Sequence, residues 1–173
     1  MKKTTEYGLI TGIYFRKLLR TIINIGHFND ENLIVLDFGA GFGELKKMLM
    51  SLNAPVKVIN YEIKKELTEI ENWQDVDFEV IVCNEVFYTF EEEELIQLLY
   101  DLKNHNSNLE MIVGISRQSF INKIGAIILN EKDAHTGTKL GPKKELEILL
   151  KELEIIEQKS IFNLADVYRL KFK

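Results

Sequence analysis

Asp37, Gly39, Gly41 and Gly43 are residues whose types and spacing could bind a ligand. They follow the continuous apolar run 33–36 and precede an amphipathic helical pattern. A short run of this kind predicts a strand buried on both faces. The glycines predict a tight turn at its carboxyl end, because glycine adopts backbone conformations that other residues avoid. In open α/β sheets this turn exposes backbone amides beside a helix N-terminus, which is where such folds bind ligands.

The spacing of the glycines restricts which ligand the turn could take. A dinucleotide-binding loop has the pattern G-x-G-x-x-G. Counted from Gly39, its third glycine would fall at position 44, where the sequence has Glu44. A carboxylate at the helix start repels a pyrophosphate, so NAD and FAD are disfavoured. A turn without any ligand is also disfavoured, because three glycines so close together weaken a fold unless a close approach requires them.

The pattern D-x-G-x-G-x-G resembles motif I of the class I S-adenosylmethionine-dependent methyltransferases. The resemblance implies a Rossmann-like fold and S-adenosylmethionine as the cofactor. That cofactor has no phosphate, so acidic side chains near the loop are tolerated. By resemblance, Asp37 helps to hold the amine of the cofactor. The resemblance assigns backbone contacts with its methionine part to Gly39, Ala40, Gly41 and Gly43.

A second acid stands at the end of the next predicted strand. The segment 56–62 reads as that strand and ends in Tyr61 and Glu62. A carboxylate at this place can accept hydrogen bonds from both hydroxyls of a ribose. The resemblance gives Glu62 this role and includes Tyr61 among the cofactor contacts. The alternative for Glu62 is a solvated glutamate at a strand end.

The stretch between Glu62 and the next apolar strand is shorter than in the family. It is too short for a helix followed by a full strand. We therefore expect either a helix reduced to a turn or a third strand reduced to a stub near 67–70. The resemblance implies that Asn72 contacts the adenine edge and that Trp73 stacks on the adenine face. A role for Trp73 as a core aromatic residue is equally open.

The segment 78–87 reads as the fourth strand and resembles motif IV of the same family. By resemblance, Asn84 and Glu85 lie at its end beside the transferable methyl group. The segment lacks the Asn/Asp-Pro-Pro-aromatic clamp that holds planar amines, which disfavours adenine and glutamine amides as acceptors. Cys83 has no preceding proline, unlike in the cytosine-carbon methyltransferases, and we interpret it as a small buried residue.

Three side chains are candidates for a general base, in falling order of preference His135, Tyr88 and Glu85. His135 lies in the polar loop 131–141, two residues after Asp133, and histidine is the side chain most readily poised near neutral pH. Its alternative is an ordinary surface histidine. The acidic run 91–94 predicts a helix start, because four successive residues spread around a helix and cannot converge on a metal ion. No metal is expected.

The remaining pattern predicts the elements that must position these residues. Apolar residues at helical spacing predict helices over 11–25, 43–52 and 117–130 and after residues 91 and 142. The first helix should bury Ile13, Tyr14, Leu18, Ile22 and Ile25. The helix after residue 91 should bury Leu95, Leu98, Leu99 and Leu102. The helix after residue 142 should bury Leu146, Leu149, Leu150 and Leu153. Further strands are predicted over 109–116, 154–162 and 167–172.

These elements predict one α/β domain over residues 1–173. Its sheet is doubly wound and mostly parallel, with helices on both faces and an antiparallel last strand. We expect seven strands, or six if the third is lost. The resemblance implies an N-terminal helical cap over 1–30, which brings Tyr7 and Tyr14 near the substrate, and a lid-like insert over 117–141. The apolar half of that insert reads as core packing or as a lipid-binding face.

Composition limits the class of partner. The chain has 173 residues, is 46% hydrophobic and carries a net charge of −5, which disfavours a broad nucleic-acid footprint. Its single cysteine excludes an intrachain disulfide and a multi-cysteine zinc site. No apolar run is long enough to span a membrane, and no signal sequence is recognised. We expect a cytoplasmic protein.

The sequence therefore predicts a methyltransferase that uses S-adenosylmethionine and moves a methyl group to an O or N of a small-molecule acceptor. Three alternatives stay open. The first is a protein or RNA methyltransferase that binds through a basic cluster such as Arg16, Lys17 and Arg20. The second is a non-catalytic subunit that binds the cofactor. The third, and most distant, is a nucleotide-dependent oxidoreductase. The sequence leaves the acceptor and the oligomeric state open.

Overall fold

Six strands form one sheet in the computed structural model, which describes residues 9–117 and 139–173. Their order across the sheet is β2-β1-β3-β4-β6-β5. The first four are parallel, and β6 runs antiparallel to both of its neighbours. The strands are β1 (Ile34–Phe38), β2 (Lys57–Tyr61), β3 (Val80–Asn84), β4 (Glu110–Ser116), β5 (Leu153–Ile161) and β6 (Ala165–Phe172). The predicted doubly wound sheet, with its antiparallel last strand, is confirmed in the six-stranded form.

Four described helices cover the two faces of the sheet: α1 (Leu9–Gly26), α2 (Glu44–Ser51), α3 (Glu92–His105) and α4 (Pro142–Glu152). Successive residues of each central strand join different apolar clusters, because side chains alternate across a strand. Val35 packs with the cluster that contains α1 and α2, and Leu36 packs with the cluster that contains α3 and α4. Two short 3-10 turns, Trp73–Asp75 and Phe87–Thr89, follow β2 and β3. No described helix is long and apolar enough to cross a membrane.

The predicted shortening after β2 takes the form of a turn. Residues 62–79, all of them described, contain no strand, and the amide of Leu67 donates to the carbonyl of Lys64 at 2.9 Å. The chain then folds back on β2, where the Glu69 amide donates to the carbonyl of Asn60 at 2.9 Å. The stub expected near 67–70 therefore does not form, and β2 is the edge of the sheet.

The apolar patterns of α1 and α3 predict their buried faces well, with one exception. Leu95, Leu98, Leu99 and Leu102 of α3 are buried as predicted. The acidic run begins this helix as expected, since the Glu91 amide donates to the Glu94 carboxylate at 2.7 Å. In α1 the prediction for Ile13 is wrong, because its side chain is 49% exposed.

The predicted buried face of α4 is rotated slightly from the observed one. The residues of α4 that are fully buried are Glu145, Ile148 and Leu149, whereas Leu146 and Leu150 are only partly buried. Leu149 and Leu153 are buried as predicted, whereas Leu146 and Leu150 lie at the border of the buried face. The first turn of α4 instead buries the side chain of Glu145, a carboxylate that the sequence pattern did not place in the interior.

Candidate functional site

The glycine turn after β1 adopts the left-handed conformation at each of its glycines, with φ of 76° at Gly39, 53° at Gly41 and 68° at Gly43. Two of them also have no room for a side chain. A Cβ at Gly39 would lie 2.5 Å from a methyl of Val86, and one at Gly43 would lie 2.6 Å from Nδ2 of Asn60. A Cβ at Gly41 would meet nothing within 4 Å. Gly41 is therefore the point at which open space reaches the backbone of the turn.

Backbone hydrogen bonds fix the turn against the end of β2. The amides of Gly39 and Ala40 donate to the carbonyl of Tyr61 at 2.8 and 3.1 Å. The amide of Gly41 donates to Oε2 of Glu62 at 2.9 Å, and the amide of Ile63 donates to Oε1 at 3.0 Å. Each carboxylate oxygen of Glu62 keeps a further lone-pair site, because a carboxylate accepts about four hydrogen bonds. Glu62 is thus oriented beside Gly41 and can still accept from a ligand.

Asp37 lies beneath this turn as an almost fully buried acid. Its residue is 5% exposed, and burial is the main cause that raises its pKa to about 7. The charges of Glu62 and Glu69 raise that pKa further. Lys46 lies 2.6 Å from Glu69, on the exposed side of the cluster. Asp37, Glu62 and Glu69 together favour a positively charged ligand group at this place.

A groove of about 730 Å³ lies beside α3, and its wall includes Ile63, the residue after Glu62. Its walls include Ile63, Trp73 and Phe90. Trp73 is only 7% exposed and contacts Phe78 and His105 edge-on, so it serves both the core and the groove. Ile63 is 86% exposed and was missed in the sequence, although an apolar residue directly after a strand-end acid is a usable signal.

Trp73 lines this groove, whereas Asn72 is not one of its described lining residues. Its Oδ1 instead accepts from the amide of Gln74 at 3.2 Å and caps the short turn Trp73–Asp75. The predicted contact of Asn72 with the adenine edge stays a prediction.

A second polar cluster lies at the carboxyl ends of β3 and β4. The hydroxyl of Tyr14 donates to Oε1 of Glu85 at 2.9 Å and lies 3.0 Å from Oγ of Ser116. The Ser116 hydroxyl donates to the same carboxylate oxygen. Burial raises the pKa of Glu85, although both hydrogen bonds act to lower it. Glu85 also has a φ of 55°, a conformation that is rare outside glycine and concentrates at functional sites.

Two further titratable side chains lie close to Glu85. Burial, followed by the charge of Glu85, raises the pKa of Tyr88. The same two causes raise the pKa of Glu145 to about 8, and Glu145 is only 3% exposed. The chain that leads into α4 is fixed here, because the amides of Lys139 and Leu140 donate to the carbonyl of Tyr88 at 2.8 and 3.2 Å. This cluster therefore combines two carboxylates and two phenols.

The sequence located part of this cluster. Glu85 and Tyr88 were predicted site residues, and Tyr14 was expected near the substrate. Ser116 and Glu145 were missed. Glu145 could have been found, because it precedes Ile148 and Leu149 by three and four residues and so shares their buried helix face.

Of the other predicted residues, Asn84 lies beside the Glu85 cluster, and the rest lie outside the described residues. Asn84 ends β3 next to Glu85, and its Oδ1 is buried without a hydrogen-bond partner. His135, Asp133, Tyr7 and most of the insert 117–141 lie outside the described residues. Within residues 9–117 and 139–173, no three His, Cys, Asp or Glu side chains are grouped so that they could hold a metal ion.

Comparison with known proteins gives matches of structure and not of sequence. No protein-family model matches the chain, and no curated protein matches it. Among solved structures, the PH0226 protein from Pyrococcus horikoshii OT3 matches with a TM-score of 0.66 at 10% identity, over 92% of each chain. The plantazolicin methyltransferase BpumL, in complex with SAH, matches with a TM-score of 0.63 at 11% identity, over 92% of this chain and 85% of its own.

The chain has the fold of the class I methyltransferases. The magnesium protoporphyrin IX methyltransferase ChlM from Synechocystis PCC 6803, with bound SAH, extends the likeness, with a TM-score of 0.55 at 11% identity over 96% of this chain and 88% of its own. Longer proteins also match, such as the dimethyltransferase RosA from Streptomyces davawensis, of which the chain spans only 56%. In this class I fold, the glycine turn and the Glu85 cluster both lie at the carboxyl ends of the parallel strands, the edge at which open α/β sheets bind ligands.

Proposed function

We propose that this protein is a methyltransferase that uses S-adenosylmethionine and transfers the methyl group to an O or N of a small-molecule acceptor. The observation that carries the proposal is the glycine turn, whose open face at Gly41 lies beside the oriented carboxylate of Glu62. Solved methyltransferases with bound SAH share the fold, which supports the same ligand class. The acidic net charge disfavours nucleic acid as the acceptor, which supports a small molecule.

The chemistry of the site fits the parts of this cofactor. Asp37, held among acids, suits the ammonium of its amino-acid part. Glu62 suits the ribose hydroxyls, and the apolar groove wall at Ile63 and Phe90 suits an adenine ring. Glu44 at the start of α2 has a buried carboxylate oxygen without a partner, a poor neighbour for a pyrophosphate. The charges of the site therefore favour a sulfonium nucleoside over a dinucleotide.

When bound, S-adenosylmethionine supplies a methyl group on a sulfonium, which is a good leaving group. The protein then has to align the acceptor, exclude water and take up a proton where the nucleophile must lose one. Of the described candidates for the base, Glu85 suits this task better than Tyr88. A phenol whose pKa is raised stays protonated at neutral pH and can donate a hydrogen bond, whereas Glu85 can accept the proton. His135 remains a candidate from the sequence.

Calorimetric titration tests the cofactor site directly. We expect S-adenosylhomocysteine (SAH) to bind and NAD to fail to bind. Glu62→Ala should weaken SAH binding by about 1–3 kcal/mol, the scale of a lost polar contact that leaves its partners unpaired. The measurement is the dissociation constant at fixed pH and salt for the wild type and the variant.

Glu66→Ala is the matched control, because Glu66 lies in the exposed turn after β2 and takes part in none of the contacts described above. Its SAH affinity should equal that of the wild type. Tight binding of NAD, or equal SAH affinity in wild type and a folded Glu62→Ala protein, would refute the cofactor assignment.

Ile63→Ser tests the groove. The side chain is already 86% exposed, so the free energy of unfolding should change by less than about 0.5 kcal/mol. Covering Ile63 with a ligand ring buries apolar surface, and losing that contact should cost SAH affinity about 1 kcal/mol. Thermal unfolding and calorimetry of the same protein separate the two effects. Ile156→Ser, on the exposed face of β5, serves as the control and should leave SAH binding unchanged.

A further inference from the structure

Glu145 is a buried carboxylate whose environment the proposed cofactor site does not explain. It lies in the first turn of α4 and is 3% exposed. Its side chain makes no hydrogen bond or ion pair with any other described residue. Buried acids are normally paired or hydrogen-bonded, because an isolated ionised carboxylate is costly to desolvate. Glu145 has no such partner among the described residues, so an ionised Glu145 would need a positive group from a ligand.

The position of Glu145 shows where such a partner would lie. The helix α4 contacts the turn Phe87–Thr89, which directly follows Glu85. The charge of Glu85 acts on Glu145, and Glu145 in turn acts on Cys83 and on Tyr168. Glu145 thus faces the same end of β3 as the Tyr14–Glu85–Ser116 cluster.

Basic side chains on the neighbouring segments are engaged elsewhere. Each lies against a different acid, at 2.9 to 3.8 Å, and neither Glu85 nor Glu145 has a described cation among the groups that act on it. The four ion pairs are Arg117 with Asp166, Lys139 with Glu91, Lys143 with Glu147 and Lys144 with Glu92. The two buried carboxylates are therefore without a counter-charge in the described part of the chain.

Two neighbouring buried carboxylates ionise together at neutral pH only if a positive charge joins them. A hydroxyl acceptor brings no such charge, whereas an amine does. We propose that Glu85 and Glu145 form the acceptor subsite of the enzyme and that the subsite takes a small-molecule amine in its protonated form. This inference rests on the proposed function, since it names the acceptor class of the same site.

The subsite also explains how an ammonium becomes a nucleophile. An ammonium has no free electron pair, so one N–H bond must break first. The proton passes to an oxygen of Glu85, and the electron pair of that bond stays on nitrogen. Tyr14 and Ser116 donate to the same carboxylate, which fixes its orientation, while Glu145 accepts a hydrogen bond from an N–H bond that remains on the neutral amine.

Matched amine and alcohol probes test the subsite by binding alone. Benzylamine and phenethylamine are compared with benzyl alcohol and phenethyl alcohol by chemical-shift titration of the SAH-loaded protein. We expect each amine to bind about tenfold tighter or more than its alcohol, the scale of a charge-assisted hydrogen bond in place of a neutral one. Glu145→Gln should remove this preference. Glu147→Gln, an exposed neighbour on the same helix, should retain it.

The outcomes separate this inference from the proposed function. If SAH fails to bind, the proposed function fails, and the probes are then titrated into the free protein. Equal affinity for amine and alcohol, an amine preference that persists in the Glu145→Gln protein, or no amine binding to a protein that binds SAH would each overturn the amine subsite. A preference that falls in Glu145→Gln and in Glu85→Gln, but not in Glu147→Gln, supports it.

Discussion

Glu145→Gln is expected to stabilise the protein at pH 8 by roughly 2–4 kcal/mol, although most substitutions of buried residues destabilise. The wild-type carboxyl is buried, and its pKa is raised from 4.5 to about 8 by burial and by the charge of Glu85. At pH 8 the folded protein must either ionise a buried acid or retain a proton that the unfolded chain has released. Glutamine has nearly the same shape and avoids both costs.

The sign of the pH dependence follows from this linkage. Between pH 4.5 and about 8 the folded state binds a proton at Glu145 that the unfolded state lacks, so the free energy of unfolding falls as pH rises. The contribution of the protonated Glu145 to the free energy of unfolding is fully present below pH 4.5 and is lost as pH rises through about 8. Asp37, with a pKa raised to about 7, adds a contribution of the same sign. Asp166 and Glu157 have lowered pKa values and stay ionised over this range, so they add no slope.

Urea unfolding at pH 5 and pH 8 measures the effect. The difference between Glu145→Gln and wild type should be large at pH 8 and small at pH 5. Glu147→Gln changes the same functional group on the exposed face of α4 and should match the wild type at both pH values. A variant that is equally or less stable than the wild type at pH 8 would show that Glu145 already has a partner.

A stabilising substitution at this place has a functional meaning. Groups that break a local rule of folding are expected at functional or strained sites. The same variant is expected to gain stability and to lose the preference for amines, and these two results come from independent measurements. Together they would indicate that the chain retains the acid for a ligand and not for its own folding.

The glycine turn and the sheet could be predicted because their signals are local. Strand β1, its acid and its glycines stand in one stretch of sequence, and left-handed φ at Gly41 follows from residue type. The apolar runs of β1, β3 and β4 likewise mark them as doubly buried. The loss of a full third strand could be predicted from the short segment between Glu62 and the next apolar strand. The choice between a turn and a stub depended on how that segment packs against β2.

The second cluster could not be predicted in full, because its members come from distant parts of the chain. Tyr14 is 71 residues from Glu85 and 102 residues from Ser116. A lone serine at a strand end gives no signal of its own, and the helical spacing of Glu145 predicts its burial but not its neighbours. Only the packing of α1 and α4 around the ends of β3 and β4 brings these polar groups together.

Gly41→Val is expected to weaken SAH binding by about tenfold to hundredfold while the protein still folds. The prediction follows from the difference between Gly41 and the other two glycines of the turn. A Cβ at Gly39 or Gly43 would collide with Val86 or Asn60, so substitution there destabilises the fold. A Cβ at Gly41 meets only open space, so the added side chain occupies the volume that the ligand needs. The folding cost is that of a left-handed non-glycine residue, about 1–2 kcal/mol.

Gly141→Val separates the two contributions, because Gly141 also has open space around its Cβ but an ordinary φ of −79°. That variant should retain both stability and SAH affinity. Gly41→Ala should show a smaller folding cost than Gly41→Val, since valine is β-branched, and a smaller loss of affinity, since the blocked volume is smaller. If a folded Gly41→Val protein binds SAH as the wild type does, the open face of the turn is not the ligand site. The roles proposed for Asp37 and Glu62 depend on a ligand in that open space, so they would be lost with it.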